Sequence, residues 1–446
     1  MRNSSSPWAV LLFGNSSEVA IKRDSRYYKH MGILSRFFSK SSKLEKHFLA
    51  LDIGTDFVKV FVFELAEGNA NLLGYGKHAQ GLTDMKVGVI ANISAVEENI
   101  DMAINEACLS SEVRPKDVIF GVSGEMCKGL TTTVRMSRKK GEEPLGEREL
   151  KDIEKRVQDA AFIESSKEIA ELTGNPDLEI ELITSRMNKF KVDGYEVANP
   201  LDFKGKILEI STFTAYSPKL HLANILKIAK NLNLKTLTIS PLFYSFVQSL
   251  STDEPSEFNT IIIDIGGETT DIVVVFGGNI ISTKTFPVGG RLFTRAIAEK
   301  LDLSFSGAEV LKLNYTHNEV ERDKIEKIKE AIAPVLKLWL SGLQLSLEDF
   351  TGVGTFPPKM LLGGGGAALP GIKEVLISHP WTKTLPFSNF PKIRLVEKGD
   401  ILRINDKIDK LKEPEDFLSS TLGVVGLELM EEKNGSNPFG LKRRSS

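Results

Sequence analysis

Ile261-Ile262-Ile263-Asp264-Ile265-Gly266-Gly267-Glu268-Thr269-Thr270-Asp271-Ile272-Val273-Val274-Val275 reads as a β-hairpin. An apolar strand ends in an aspartate, glycines make the turn, and an apolar strand returns. Glycine lets the backbone reach positive φ and lets N–H groups approach an anion closely. Threonine hydroxyls add donors, and Asp264 at the strand end can hold a hydrated Mg²⁺ beside phosphates. Far upstream, Leu49-Ala50-Leu51-Asp52-Ile53-Gly54-Thr55, with Val58-Lys59-Val60 after it, repeats the pattern. Either turn alone is as readily an ordinary tight hairpin. The pair points to a duplicated domain that grips a nucleotide from both sides.

A third element lies downstream, Lys359-Met360-Leu361-Leu362-Gly363-Gly364-Gly365-Gly366-Ala367-Ala368-Leu369-Pro370-Gly371-Ile372. Each glycine in such a run costs roughly 0.5–1 kcal/mol relative to alanine. Bare backbone of this kind can lie flat against an adenosine and its α-phosphate. A flexible linker is the alternative. The apolar strand before the run and the amphipathic Ile372, Val375 and Leu376 after it argue against one.

In order and spacing the three elements resemble the actin, sugar kinase and heat-shock chaperone superfamily, and within it the bacterial cell-division protein family FtsA. Asp264-Ile265-Gly266-Gly267-Glu268-Thr269-Thr270-Asp271-Ile272 is similar to that family's second phosphate loop. Phe276-Gly277-Gly278-Asn279 and Phe286-Pro287-Val288-Gly289-Gly290 resemble the family's next turn and strand, and Ala308-Glu309-Val310-Leu311-Lys312 the helix that reaches the ribose. Phe120-Gly121-Val122-Ser123-Gly124 and Asn199-Pro200-Leu201-Asp202-Phe203-Lys204-Gly205 resemble segments of the FtsA insertion. Glu268, where FtsA proteins usually have a third glycine, and Lys59, one residue further out than usual, look more like PilM of type IV pilus machines. Asn199-Pro200 and Thr270-Asp271 favour FtsA.

The fold expected is α/β: actin-like (ribonuclease H-like) duplicated domains around a nucleotide cleft, each with a mixed five-stranded sheet, and an FtsA-type inserted subdomain. ATP and Mg²⁺ are the expected cofactors. Asp52 and Asp264 are assigned to the metal through its waters. Gly54, Thr55, Gly266, Gly267, Thr269 and Thr270 are assigned to the β- and γ-phosphates. Lys59 lies near a phosphate or is strand-surface charge. By the resemblance Glu309 and Lys312 bind the ribose hydroxyls; by spacing alone they are equally a surface ion pair. Gly363, Gly364, Gly365 and Gly366 face the adenosine. Asp271 positions an attacking water or makes a structural hydrogen bond to the hairpin. Glu268 puts a carboxylate close to the phosphates, against strong binding or hydrolysis.

With 446 residues the chain expects two or more domains. Its 41% hydrophobic and 26% charged content is that of a soluble globular protein, and a net charge of −2 gives no nucleic-acid footprint. Cys108 and Cys127 are the only cysteines, without metal spacing to histidine, which fits a reducing cytoplasm. No run of eighteen apolar residues marks a transmembrane helix, and Trp8–Phe13 makes a poor signal peptide.

Residues 1–46 read as a disordered extension. Within it, 31–46 can form an amphipathic helix with Ile33, Leu34, Phe37, Phe38 and Leu44 on one side and basic residues around them, the pattern of an interfacial membrane segment. The alternatives are a helix packed on the body or a solvated lead-in. Residues 47–117 begin the first actin-like domain, 118–213 are the inserted subdomain, 214–260 return to the first domain, 261–430 form the second, and 431–446 are a flexible basic tail. The Arg138-Lys139-Lys140 run reads as a solvated loop, with a partner contact as the alternative. Residues 324–347 read as a long amphipathic helix kinked or restarted at Pro334.

The function expected is an ATP-binding cell-division scaffold that self-associates as an oligomer or filament. It would sit peripherally on the cytoplasmic face of the membrane, with an anionic lipid surface as a further contact, and recruit a tubulin-like protein and other division machinery. ATPase activity is expected to be slow at most, since no strong general base is evident. A PilM-like cytoplasmic adaptor of pilus assembly is the alternative. A sugar or acetate kinase needs a substrate aspartate and a dedicated pocket, and the sequence shows neither.

Overall fold

His47–Ile53 and Phe57–Ala66 form an antiparallel hairpin with Asp52 opposite Lys59, and Thr260–Ile265 and Thr270–Phe276 form another with Asp264 opposite Asp271. Each seeds a sheet. The structure is a computed structural model that describes residues 11–12, 45–86, 88–250, 258–350 and 353–433. The expected membrane segment at 31–46 falls outside these residues apart from its last two, and the basic tail falls outside them from 434 onward.

The chain divides into two compact units, and the larger comprises Ser42–Lys128 and Lys219–Glu428. Its first sheet places Asn69–Ala79, Phe57–Ala66, His47–Ile53, Asp117–Val122 and Lys235–Pro241 side by side in that order. The first three are antiparallel and the last two join in parallel. The second sheet repeats this with Asn279–Phe286, Thr270–Phe276, Thr260–Ile265, Lys359–Gly363 and Lys392–Leu395. Strand for strand the topology is duplicated, as the paired hairpins predict. The first sheet departs from the expected five strands. Ile404–Asp406, from the C-terminal part of the chain, adds in parallel to its Asn69–Ala79 edge, so one edge of the first half is closed by the second.

The strands of both hairpins are buried along nearly their whole length, which explains their unbroken apolar runs: neither face is open to solvent. Ile93–Ser111 crosses the first sheet, and bare backbone at Gly74 and Gly76 allows it close, since a Cβ there would stand 2.1 and 2.0 Å from the carbonyls of Ala107 and Ala103. Arg322–Glu348 covers the second sheet as one continuous helix through Pro334, where local sequence rules predict a kink or restart. A mid-helix proline costs about 3 kcal/mol. Ile328, Ile332, Val335, Trp339, Leu343 and Leu347, all buried along one face, outweigh it.

Gly129–Pro218 belongs to the smaller unit. Ile180–Val192 pairs antiparallel with Ile207–Pro218 and, past a turn at Asp193-Gly194, with Tyr195–Val197. Leu11–Leu12 pairs with Val134 and Arg135. The helix Glu147–Thr173 packs Leu150, Ile153 and Val157 into a core with Val134, Phe190 and Ile210. Arg138, read from sequence as part of a solvated loop, is 5% exposed. Its guanidinium donates to both carboxylate oxygens of Glu149, each at 2.9 Å, and to the carbonyls of Gly205 and Glu143.

Candidate functional site

Both hairpin turns, the glycine run and the helix Phe305–Thr316 converge on one cleft of about 1070 Å³ of empty space, open solvent included. It lies wholly within the larger unit. Asp52, Gly54, Thr55 and Lys59 reach it from the first hairpin, and Asp264, Gly266, Gly267, Thr269 and Asp271 from the second. Glu309 and Lys312 enter from the helix, and Gly364, Gly365 and Gly366 from the glycine run. Residues separated by more than three hundred positions are thus brought to one place.

Two expected residues are not among those lining it. Thr270 is fully buried; its hydroxyl donates to the Val288 carbonyl at 2.7 Å and accepts from Trp339 Nε1 at 3.1 Å. Gly363 lies beside Asp264 in the sheet, one residue short of the bend.

The turns are shaped by close backbone approach. Gly54 N–H donates to the Phe57 carbonyl at 3.1 Å, and Gly266 N–H to the Thr269 carbonyl at 2.9 Å. Gly364 has φ +81°, and a Cβ there would stand 2.3 Å from Asp264 Oδ1 and 2.5 Å from the Ile265 carbonyl oxygen. Gly366 N–H then donates to that same carbonyl at 2.9 Å, locking the run against the second hairpin.

The carboxylates have distinct environments. Asp52 accepts from Ser419 Oγ at 2.5 Å. Burial pushes its pKa up, while Lys59 and the Ser419 hydroxyl pull it back. Lys59 is 8% exposed and donates to the Glu415 carbonyl, and the Glu415 carboxylate pairs with Lys77. Asp271 is held on both oxygens, by Gly124 N–H at 2.9 Å and Thr285 Oγ1 at 2.6 Å, the structural hydrogen bonding that the sequence left open. Among the described residues no donor is bonded to the Asp264 carboxylate. Burial first, then the Asp271 and Asp52 charges, raise its pKa to about 7 against the pull of Lys59.

That unbonded carboxylate tests the fit of a cation. Asp52 and Asp264 hold matching strand ends and offer hard oxygen donors, the set that suits Mg²⁺. The described residues contain no group of three or more potential ligands, so water and phosphate oxygens would complete the shell. Glu309 and Lys312 make the ion pair that spacing alone allows, at 2.8 Å, and still line the cleft. Lys312 also donates to Thr294 Oγ1 at 2.9 Å.

Sequence reasoning missed Asp56, Arg291, Glu415 and Ser419. Arg291 is 4% exposed and donates to Asp56 Oδ1 at 2.6 Å, to Glu268 Oε1 at 3.3 Å and to the Thr55 carbonyl at 2.8 Å. A signal was present: each glycine turn carries one acidic residue, Asp56 and Glu268, and two carboxylates brought together by converging turns call for a nearby cation. Ser123 and Gly124, grouped by resemblance with the inserted region, sit at the end of a first-sheet strand, where Ser123 lines the cleft.

A family model described as "Cell division protein FtsA" matches residues 261–415. A cell division protein FtsA of Enterococcus faecalis is 28% identical over 355 residues, covering 74% of this chain and 75% of its own length. That of Streptococcus pneumoniae is 27% identical over 353 residues, covering 74% and 73%. That of Bacillus subtilis is 26% identical over 350 residues, covering 74% and 75%. Among solved structures, one titled "PilM-PilN type IV pilus biogenesis complex" superposes with a TM-score of 0.61 at 19% identity, over 86% of this chain and 99% of that one. The fold is thus actin-like.

Proposed function

We propose that the chain, which is similar in sequence to the FtsA cell-division proteins, is an actin-like division scaffold whose assembly is governed by a nucleotide in the cleft. The observation that carries the reading is the convergence of two duplicated turns, each with an aspartate at its strand end, on the glycine run. ATP with Mg²⁺ is the ligand that this arrangement suits. Asp52 and Asp264 would hold the metal's waters, Gly54, Thr55, Gly266, Gly267 and Thr269 the phosphates, and Gly364 to Gly366 the adenosine. A bound metal would neutralise charge on the phosphates; the chain itself binds and orients.

Hydrolysis would be slow, because both Asp271 oxygens are engaged in hydrogen bonds within the fold. Nucleotide would favour a closed cleft through its different affinity for open and closed states, and the closed state would self-associate. Copies of the chain, a tubulin-like division protein and other division proteins are the partners proposed, at the cytoplasmic face of the membrane. Among the described residues no helix is long and apolar enough to cross a membrane, and the contact proposed with lipid is peripheral. The PilM likeness is one of fold, and the sequence relatives are division proteins.

Calorimetry with ATP and Mg²⁺, then sedimentation on anionic vesicles with and without nucleotide, tests the reading. Heat of binding and ATP-dependent pelleting are expected. No heat with any adenine nucleotide would overturn it.

A further inference from the structure

Asp56 in the first turn and Glu268 in the second both meet the buried Arg291 at the start of the Gly290–Leu301 helix, an arrangement not needed to hold a nucleotide. Arg291 also takes the Thr55 carbonyl at 2.8 Å through its side chain and the Gly267 carbonyl at 2.7 Å through its backbone N–H. One residue therefore bonds to both turns by side chain and main chain together. The Asp56 carboxylate lies so near Gly267 that a Cβ there would stand 2.4 Å from Oδ2. An anion of the protein's own is lodged between the two turns, held by a buried cation and pressed against glycine backbone. This is the setting in which proteins bind phosphoryl groups.

We propose that the Asp56–Arg291–Glu268 bridge stands in for the terminal phosphate of a nucleotide, making Asp56 and Glu268 the residues that set the cleft's preference between diphosphate and triphosphate. The inference rests on the nucleotide reading above. Where only a terminal phosphate joins two such turns, triphosphate is selected because it alone bonds to both in the closed state. Here the join is internal, so a terminal phosphate adds little differential affinity. The two carboxylates also outnumber the one guanidinium, and that excess negative charge opposes a further anionic group. Diphosphate and triphosphate should therefore bind comparably and support the same closed state.

Titration calorimetry of the full chain with ADP and with ATP, each with Mg²⁺, tests this. For the parent the two dissociation constants should agree within about threefold. Asp56→Ser with Glu268→Gly removes both carboxylates and leaves the Arg291 side chain its bond to the Thr55 carbonyl, with its remaining N–H groups open to a phosphate, and ATP should then bind at least about tenfold more tightly than ADP. A cooperative thermal transition checks that this variant is folded. Arg291→Gln leaves two carboxylates without their cation and should weaken ATP more than ADP. A parent that prefers ATP by about tenfold or more overturns the inference and leaves the nucleotide reading standing. So does an unchanged ratio in a folded double variant. Absence of heat from both nucleotides in all three proteins removes the inference together with the reading beneath it.

Discussion

Asp264 stands directly across the second hairpin from Asp271, in the place where the first hairpin sets Lys59 across from Asp52. At this cross-strand position the duplicated hairpins thus differ in charge, and all four residues line the cleft. Lys59 offsets Asp52, whereas Asp264 is buried with a second carboxylate and no donor bonded to it among the described residues. Asp264→Asn removes a charge that the ligand-free protein holds at a cost. It should raise ligand-free stability by roughly 1–2 kcal/mol. The same change should lower Mg²⁺-dependent ATP affinity by about tenfold or more, because a metal prefers the anionic oxygen. Thermal melting without ligand and calorimetry with it measure the two effects. Unchanged ATP affinity would remove Asp264 from the metal.

Four consecutive glycines are not equivalent. At Gly364 the positive φ and the backbone carbonyl of Ile265 leave no room for a methyl group. Gly364→Ala should cost about 2 kcal/mol or more. At Gly365 the nearest obstacle to a Cβ is the end of the flexible Glu415 side chain at 3.0 Å. Gly365→Ala should cost under about 1 kcal/mol, since only that side chain must move, and it should weaken nucleotide binding by narrowing the cleft. Urea unfolding separates the two, and equal losses would contradict the assignment.

His221, on the helix Lys219–Asn231, is 7% exposed, and among the described residues its Nδ1 has no hydrogen-bond partner. Burial alone lowers its pKa from 6.5 to about 4. Between those values the unfolded chain binds the proton and the native chain does not, so stability falls as pH drops from about 6.5 to about 4. The contribution of this one group is up to roughly 3 kcal/mol. His221→Leu should flatten that part of the stability–pH curve relative to the parent. Parallel curves for the two proteins would show that His221 is not the group responsible.

The hairpins and their glycine turns were legible because each is local: apolar run, aspartate, glycine, apolar run. The duplicated topology came with finding two of them. What stayed hidden depends on pairs distant in sequence. Ser419 meets Asp52, and Arg291 meets Asp56, and no periodicity announces either contact. Tertiary burial overrode a local rule at Pro334. In the smaller unit, register shifts opposite Ile180–Val192, at Ser211/Thr212 and Ala215/Tyr216, break the alternation that marks a single strand. Arg138 looked solvated because its partner Glu149 lies on the next helix.

Adjacent threonines in the second turn have opposite roles. In sequence Thr269 and Thr270 are equal candidates for a phosphate, but successive side chains leaving a turn into a strand face opposite ways. Thr269 lines the cleft, while Thr270 points into the core between Trp339 and Val288. Thr270→Val keeps the shape and strands two buried partners, the indole N–H and a carbonyl, for a loss of roughly 2–3 kcal/mol. Nucleotide affinity should be unchanged in that variant. Thr269→Val should leave stability within about 0.5 kcal/mol and weaken nucleotide binding several-fold. Chemical denaturation and calorimetry on both variants check this. The reverse pattern would return Thr270 to the phosphates and make Trp339 an ordinary core residue with no link to the turn.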